Sequence, residues 1–357
     1  MTSPEVLRYG IIGCGQVVRE LHLPAWRAVS GIQLVGICDS FSSALTDMQK
    51  ACPGVRAFTD LDSFLTELKD LAFVDVATPG PTHVAVIDRV LSRGINILCE
   101  KPLALTRSEA SRLYFDAERA GIMLTAIHNY RFKKNSQAAL AAYRRGILGD
   151  VESAVVRFRM GSLFTEQTGW RRRERESRTV LFDFGTHLVD LALLFLGPLD
   201  SLRFVDADVD DLGIQRVVFG TAHCNGSRGL FDFIIDAAST STEIEIQGES
   251  RALNLQFFPP GLRFLPARDT PVHRVRGEIG RAVEYIKAAI GERIWGGAGQ
   301  RAASHSFLFE QFAEALRYGR PNPIRPDDVL RVTALLEDVA RHVYKENLSQ
   351  SEAHTRC

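Results

Sequence analysis

The chain has 357 residues, length enough for two domains, and its 43 basic side chains balance 43 acidic ones. That balance excludes the basic footprint of a nucleic-acid binder and an electrostatic attachment to membranes, so neither is expected as a partner. Six cysteines, Cys14, Cys38, Cys52, Cys99, Cys224 and Cys357, form no C-x-x-C pair or His-rich grouping, which argues against a zinc site and a disulfide framework.

MTSPEVLRYG, at the head of the chain, has neither the basic start nor the apolar core of a signal segment, and the apolar stretch near LALLFLG is too short to span a bilayer. The expected compartment is the cytoplasm. From Arg8 to about Ile127, short β-rich runs (YGIIG, IQLVGICD, VRAFT, AFVDVATP, INILCEKP, IMLTAIHN) alternate with helical stretches (SALTDMQKAC, LDSFLTELKD, PTHVAVIDRVLSRG, TRSEASRLYFDAERAG). This is the pattern of βαβ units in a parallel sheet, with Gly94 and Gly121 placed as helix C-caps. Beyond Val151 come successive strand-like runs, VESAVVRFRM, SLRFVDADV, IQRVVFGTAHC, RGLFDFIID, TEIEIQG and ALNLQFF, which predict a largely antiparallel second sheet. Two amphipathic helices follow, SFLFEQFAEALRYG and DDVLRVTALLEDVARHVYKE, the second with Asp327 or Asp328 as N-cap after Pro326. The expected fold class is α/β: a Rossmann-type parallel-sheet domain over residues 1–127, a second α+β domain with a large, mostly antiparallel open sheet over 128–346, and a disordered tail over 347–357.

Gly13-Cys14-Gly15, after the first strand, has the order of a dinucleotide turn, but Val18 stands at the third glycine place of G-x-G-x-x-G. Asp39, closing the second strand, lies near the spacing at which a carboxylate accepts hydrogen bonds from the adenine ribose, and its charge disfavours a 2′-phosphate. It could equally cap the helix that follows. NAD is therefore the expected cofactor, with NADP as the alternative, held by Gly13, Cys14, Gly15, Gln16, Val17, Asp39 and Ser40. Thr78, Pro79 and His83 after the fourth strand, and Glu100 and Lys101 after the fifth, face the same crevice, because open parallel sheets bind ligands at the carboxyl ends of their strands. A charged pair directly after the buried run INIL is costly unless it is paired or employed. In FDFGTHLVDLALLFLG, helical spacing places Asp183, His187 and Asp190 on one polar stripe, opposite Leu188, Leu191 and Phe195, either as a proton-transfer group or as a structural lattice. GWRRRERESR places Trp170 and Arg171 just before that stripe, a composition suited to an anionic substrate, a solvated loop or a subunit contact.

In combination, GIIGCGQVV, Asp39, ATPGPTHVAVIDRVLSRGINILCEKPLALT, HNYRF, DFGTHLVDLALLFLG and the tail PNPIRPDDVLRVTALLEDVARH resemble the glucose-fructose oxidoreductase / inositol dehydrogenase (Gfo/Idh/MocA) family. The resemblance implies NAD(P)-dependent hydride transfer at a carbon bearing a hydroxyl or keto group of a sugar, sugar nucleotide or cyclitol. By the same resemblance, Lys101 hydrogen-bonds the reacting oxygen, His187 exchanges its proton, Asp183 orients the pair, Tyr130 and Arg131 line the substrate side, and the protein is a homodimer or homotetramer. The competing readings are a nucleotide-binding sensor that kept the fold without turnover, and a reductase of a non-sugar ligand.

Overall fold

Tyr9, Ile11 and Ile12 are buried in the first strand, β1 (Leu7–Ile12), which lies between β2 (Ile32–Cys38) and β4 (Phe73–Val76). With β3 (Arg56–Phe58), β5 (Asn96–Cys99) and β6 (Leu124–Ala126) they form a six-stranded sheet in the order β3-β2-β1-β4-β5-β6, and every pairing is parallel. This is the dinucleotide-binding strand order, in which the direction of winding reverses between β1 and β4 and opens a crevice at their carboxyl ends. In this computed structural model, residues 6–161, 180–210, 213–258, 260–265 and 302–354 are described.

The chain divides into two compact units, and the division differs from the one expected. The first unit takes residues up to Phe132 together with 297–333, so the helix Ala303–Tyr318 and the start of the helix Pro326–His354 return to the parallel sheet. The reason is aromatic packing. Trp26 stacks on Phe309 with ring centroids 4.2 Å apart, Tyr9 stacks on Phe73 at 5.0 Å, and Phe312 meets Phe73 edge-on at 5.3 Å. Burying each such ring contributes about 2–3 kcal/mol, which favours covering the sheet with this C-terminal helix. Pro326 is the first residue of the last helix, the position where a missing N–H costs least, so Asp327 and Asp328 sit in its first turn rather than capping it. That helix continues to His354, through most of the segment expected to be disordered.

The second unit is built on a seven-stranded sheet of β7 (Val151–Gly161), β8 (Leu199–Asp210), β9 (Gly213–His223), β10 (Arg228–Ala237), β11 (Ser241–Gly248), β12 (Ala252–Phe257) and β13 (Pro260–Leu265). Its order is β13-β12-β11-β7-β10-β9-β8, antiparallel except for the β7–β10 pair. Alternate residues of β11 are buried, among them Thr242, Ile244 and Ile246, the mark of a sheet with one covered face. The helix Thr186–Leu196 packs on β7 and is buried nearly all round. Asp190 is only 1% exposed, so the expected polar stripe is not a solvent-facing one.

Candidate active site

The carboxyl ends of β1, β2, β4 and β5 meet through main-chain hydrogen bonds that continue the sheet beyond its strands: Gly13 N donates to Cys38 O, Ala77 N to Ile12 O and Glu100 N to Val76 O, each at 2.8 Å. Gly13 has φ +94°, and a Cβ there would stand 2.6 Å from the carbonyl of Ala77 and 2.8 Å from Thr78 N. Only glycine permits β1 to turn this close to the end of β4. Gly15 differs, since a Cβ on it would meet nothing within 4 Å. Its main chain borders open space, as backbone that must approach a pyrophosphate requires.

Val18, at the third glycine place, is fully buried. It opens a π-helical turn, Val18–His22, that leads into the helix Leu23–Arg27, so the chain accommodates the larger side chain in a widened turn. Gln16 is exposed and Val17 half-buried where this helical run begins. Asp39 is clamped from two sides: Cys14 N donates to Oδ2 at 2.7 Å and Phe41 N to Oδ1 at 2.8 Å. The residue before the helix Ser42–Ala51 is Phe41, so Asp39 makes a turn ahead of that helix rather than capping it. Each carboxylate oxygen keeps lone pairs for a ribose hydroxyl, and Ser40 beside it is exposed. Burial and the neighbouring Asp39 carboxylate push the Cys14 thiol up to about 12, so it stands in the turn as a neutral group. The open space over Gly15 and the fixed carboxylate of Asp39 fit a dinucleotide.

His83 was expected among the cofactor contacts, and its position corrects that expectation. The ring is fully buried, with Nδ1 2.7 Å from Pro102 O and Nε2 2.8 Å from Thr78 O. Both ring nitrogens face carbonyls of the chain itself, and because burial holds the ring neutral, it donates its one N–H to one of the two. Thr78 is half-buried and Pro79 exposed on the rim above it.

Lys101 follows the buried Glu100 at the end of β5 and is half-buried. Beneath it lies a network that the sequence reading passed over. His22 Nε2 is 2.9 Å from Glu100 Oε1, His22 Nδ1 is 3.0 Å from Asp75 Oδ2, and Trp26 Nε1 donates to the same Asp75 oxygen at 2.7 Å. Asp75 and His22 are both 0% exposed. Burial opposes charge on His22, but the Asp75 carboxylate and then Glu100 outweigh it and lift the imidazole to about 10. Burial likewise opposes charge on Glu100, yet the hydrogen bond and charge of His22 bring it down to about 2. The signal available in sequence was Asp75, an acid inside the apolar run FVDV, but its partner His22 lies 53 residues away.

Arg131 is also corrected. Tyr130 and Arg131 share the 3₁₀ turn Asn129–Phe132, and Arg131 is buried, with its guanidinium donating to Asp328 Oδ2 at 2.8 Å. Arg331 reaches the same carboxylate. A buried guanidinium is stable only when paired, and here the partner is the chain's own aspartate. Tyr130 is half-buried.

In the second unit, Asp183 lies in a π-helical segment, Val180–Gly185, that precedes the helix Thr186–Leu196, so Asp183 and His187 are not one α-helical stripe as expected. Both are half-buried. Trp170 and Arg171 lie outside the described residues. Among the described residues no helix is long and apolar enough to cross a membrane.

Residues 7–128 match the sequence profile of an oxidoreductase family with an NAD-binding Rossmann fold, and residues 136–254 match the GFO/IDH/MocA C-terminal domain. A D-apiose dehydrogenase of Paraburkholderia graminis is 33% identical over 211 residues, 58% of this chain and 55% of that protein. The D-glucoside 3-dehydrogenase of Escherichia coli is 28% identical over 222 residues, 60% of this chain and 61% of that one. The chain thus spans a little over half the length of these curated relatives. Among solved structures, the WlbA dehydrogenase of Bordetella pertussis, crystallised with NADH and UDP-GlcNAcA, aligns with a TM-score of 0.79 over 97% of this chain and 98% of that one at 19% identity, a likeness of fold.

Proposed function

We propose, on the premise that the chain belongs to the Gfo/Idh/MocA oxidoreductase family, that it transfers a hydride between NAD and a secondary alcohol or ketone of a sugar, sugar nucleotide or cyclitol. The observation that carries this reading is the shared edge of the first unit: the glycine turn open over Gly15, the clamped Asp39 and the strand-end Lys101 all stand at the carboxyl ends of one parallel sheet. The names of the relatives, dehydrogenases of D-apiose and of D-glucosides, support the substrate class.

NAD, when bound, supplies the hydride acceptor or donor. The chain would hold it with the main chain of Gly13 to Val17, with Asp39 and Ser40 at the ribose, and with Thr78 and Pro79 at the rim. In the oxidising direction, Lys101 hydrogen-bonds the substrate oxygen, and its positive charge steadies that oxygen as its proton leaves. His187 takes the proton from the hydroxyl, and Asp183 orients the imidazole and favours its charged form. Two electrons leave the carbon with its hydrogen, the C–O bond becomes C=O, and the proton stays on the protein until solvent removes it. A screen at 340 nm, about the absorbance maximum of reduced nicotinamide, across aldoses, glucosides, cyclitols and nucleotide sugars with both cofactors tests this. NAD-linked turnover of a polyhydroxylated substrate is expected. A strict NADP requirement would refute the role of Asp39.

The protein is also read as a homodimer or homotetramer. Phe204 and Leu230 flank Gly220 in one row of the outer sheet face and are 50% and 38% exposed, an apolar surface suited to a second copy. Light scattering giving a monomer mass would contradict this.

A further inference from the structure

The catalytic roles above leave the most deeply buried charged groups of the first unit unused. His22, on the π-helical turn after β1, meets Asp75 from β4 on one ring nitrogen and Glu100 from the end of β5 on the other, at 3.0 and 2.9 Å. Glu100 in turn accepts the main-chain N–H of Lys101 on its second oxygen, Oε2, at 3.0 Å. One hydrogen-bonded chain therefore runs from the middle of the sheet to the residue whose ammonium is assigned to the reacting oxygen. Every link except the last is closed to solvent.

We propose that His22 is a positioning residue for Lys101: as an imidazolium held between Asp75 and Glu100, it fixes the Glu100 carboxylate that anchors the Lys101 main chain. The proposal rests on the reading that Lys101 acts on the substrate oxygen. A neutral His22 would keep one N–H, donated to Asp75, and would turn a lone pair toward Glu100. The carboxylate would then lose its partner and swing, carrying the Lys101 main chain with it. With both carboxylates ionised, as the lowered Glu100 requires, a charged His22 donates to both at once, and a neutral ring could donate to one alone.

Among the described residues, the following groups face His22. Asp75 and Glu100 are the two carboxylates, Lys101 is the nearest ammonium along the chain, and from the helix Ala303–Tyr318 the His305 ring lies with its centroid 5.4 Å from that of His22. The neutral Phe309 ring stands edge-on to His22 at 5.3 Å between centroids, and the Trp26 indole donates to the Asp75 carboxylate. Polar atoms of His22, Glu100 and His305 lie within 4.8 Å of one another, a spacing that could also hold a cation. The direct 2.9 Å contact of His22 with Glu100, with Asp75 on the other nitrogen, is the geometry of a proton between base and acid. The raised basicity of His22 agrees with it.

The test uses the intact protein in three measurements. In protein labelled with ¹⁵N-histidine, both ring nitrogens of His22 are expected to stay protonated at pH 8, and a ring that titrates near the ordinary histidine value would overturn the proposal. Asp75→Asn keeps the shape of the site and removes the charge that holds the His22 proton. It is expected to bind NADH within about threefold of wild type, while turnover of the substrate found at 340 nm falls about 100-fold at pH 9, as for a reacting group misplaced by an ångström. The loss should be much smaller at pH 6, where His22 regains its proton. A purely structural network would lower thermal stability and leave the pH profile in place, and that outcome refutes the proposal. Should Asp75→Asn not fold, Glu100→Gln takes its place, with a fall in turnover at all pH values expected and an unchanged rate contradicting it. One equivalent of bound zinc in the purified protein would also overturn it, since a cation would then stand where the proton is placed. Failure of the underlying reading is separate, because it appears as Lys101→Ala keeping its turnover while His22 still reads as an imidazolium.

Discussion

Lys101→Ala is expected to lower turnover by about a thousandfold or more while NADH affinity stays within about threefold of wild type. The alanine keeps the main-chain N–H that Glu100 accepts at 3.0 Å, so the buried His22 network and the end of β5 should remain in place. What disappears is the ammonium that would steady the substrate oxygen, and removal of one fixed charge-stabilising donor alone costs about 10²–10³ in rate. The loss of orientation at the reacting oxygen adds to this. Fluorescence titration of NADH and the 340 nm rate, measured on the same folded sample, separate binding from chemistry. An unaffected rate would remove Lys101 from the mechanism.

Two glycines two residues apart should respond in opposite ways. Gly13→Ala is expected to lower folding stability by about 3 kcal/mol or more and to abolish NADH binding, because a side chain there adds left-handed backbone strain to a main-chain collision. The colliding atoms, Ala77 C and O at 2.6 Å and Thr78 N at 2.8 Å, belong to the end of β4 and cannot rotate away as a side chain could. Gly15→Ala should leave thermal unfolding within about 0.5 kcal/mol of wild type, since its Cβ would meet nothing within 4 Å. Its NADH affinity should nonetheless fall at least about tenfold, as the methyl group takes the space that the pyrophosphate needs. Thermal melts and NADH titrations of the two variants decide this, and equal behaviour would contradict the distinct roles given to the two glycines.

The parallel sheet was legible because each βαβ unit announces itself locally: an apolar run, a turn and an amphipathic helix, with Gly121 at φ +67° where the helix Arg107–Arg119 ends. The strand-end residues Gly13, Asp39 and Lys101 could be placed on one edge for the same reason. Less legible was anything that depended on long-range partners. The helix Lys134–Arg144 and β13 went unread, the latter because Phe-Phe-Pro-Pro-Gly looks like a turn, although Pro260 is tolerated at the start of an edge strand. His83 was assigned to the cofactor from its place just after a strand end, and Arg131 to the substrate side from the family resemblance. Their partners, the carbonyls of Thr78 and Pro102 and the carboxylate of Asp328, become neighbours only on folding. The π-helical turn holding Asp183 escaped a reading based on 3.6-residue spacing. The Asp75–His22–Glu100 chain escaped too, although Asp75 stands out within FVDV, since nothing local ties it to a histidine from the first turn.

Diffraction from crystals soaked with NAD tests the dinucleotide site at the edge of the parallel sheet most directly. Density for the pyrophosphate is expected on the main chain of Cys14 to Gln16, with the adenine ribose on Asp39 and the nicotinamide end at the loop that carries Lys101. A dinucleotide seated elsewhere, or a crevice between β1 and β4 that stays closed to NAD at saturating concentration, would contradict it.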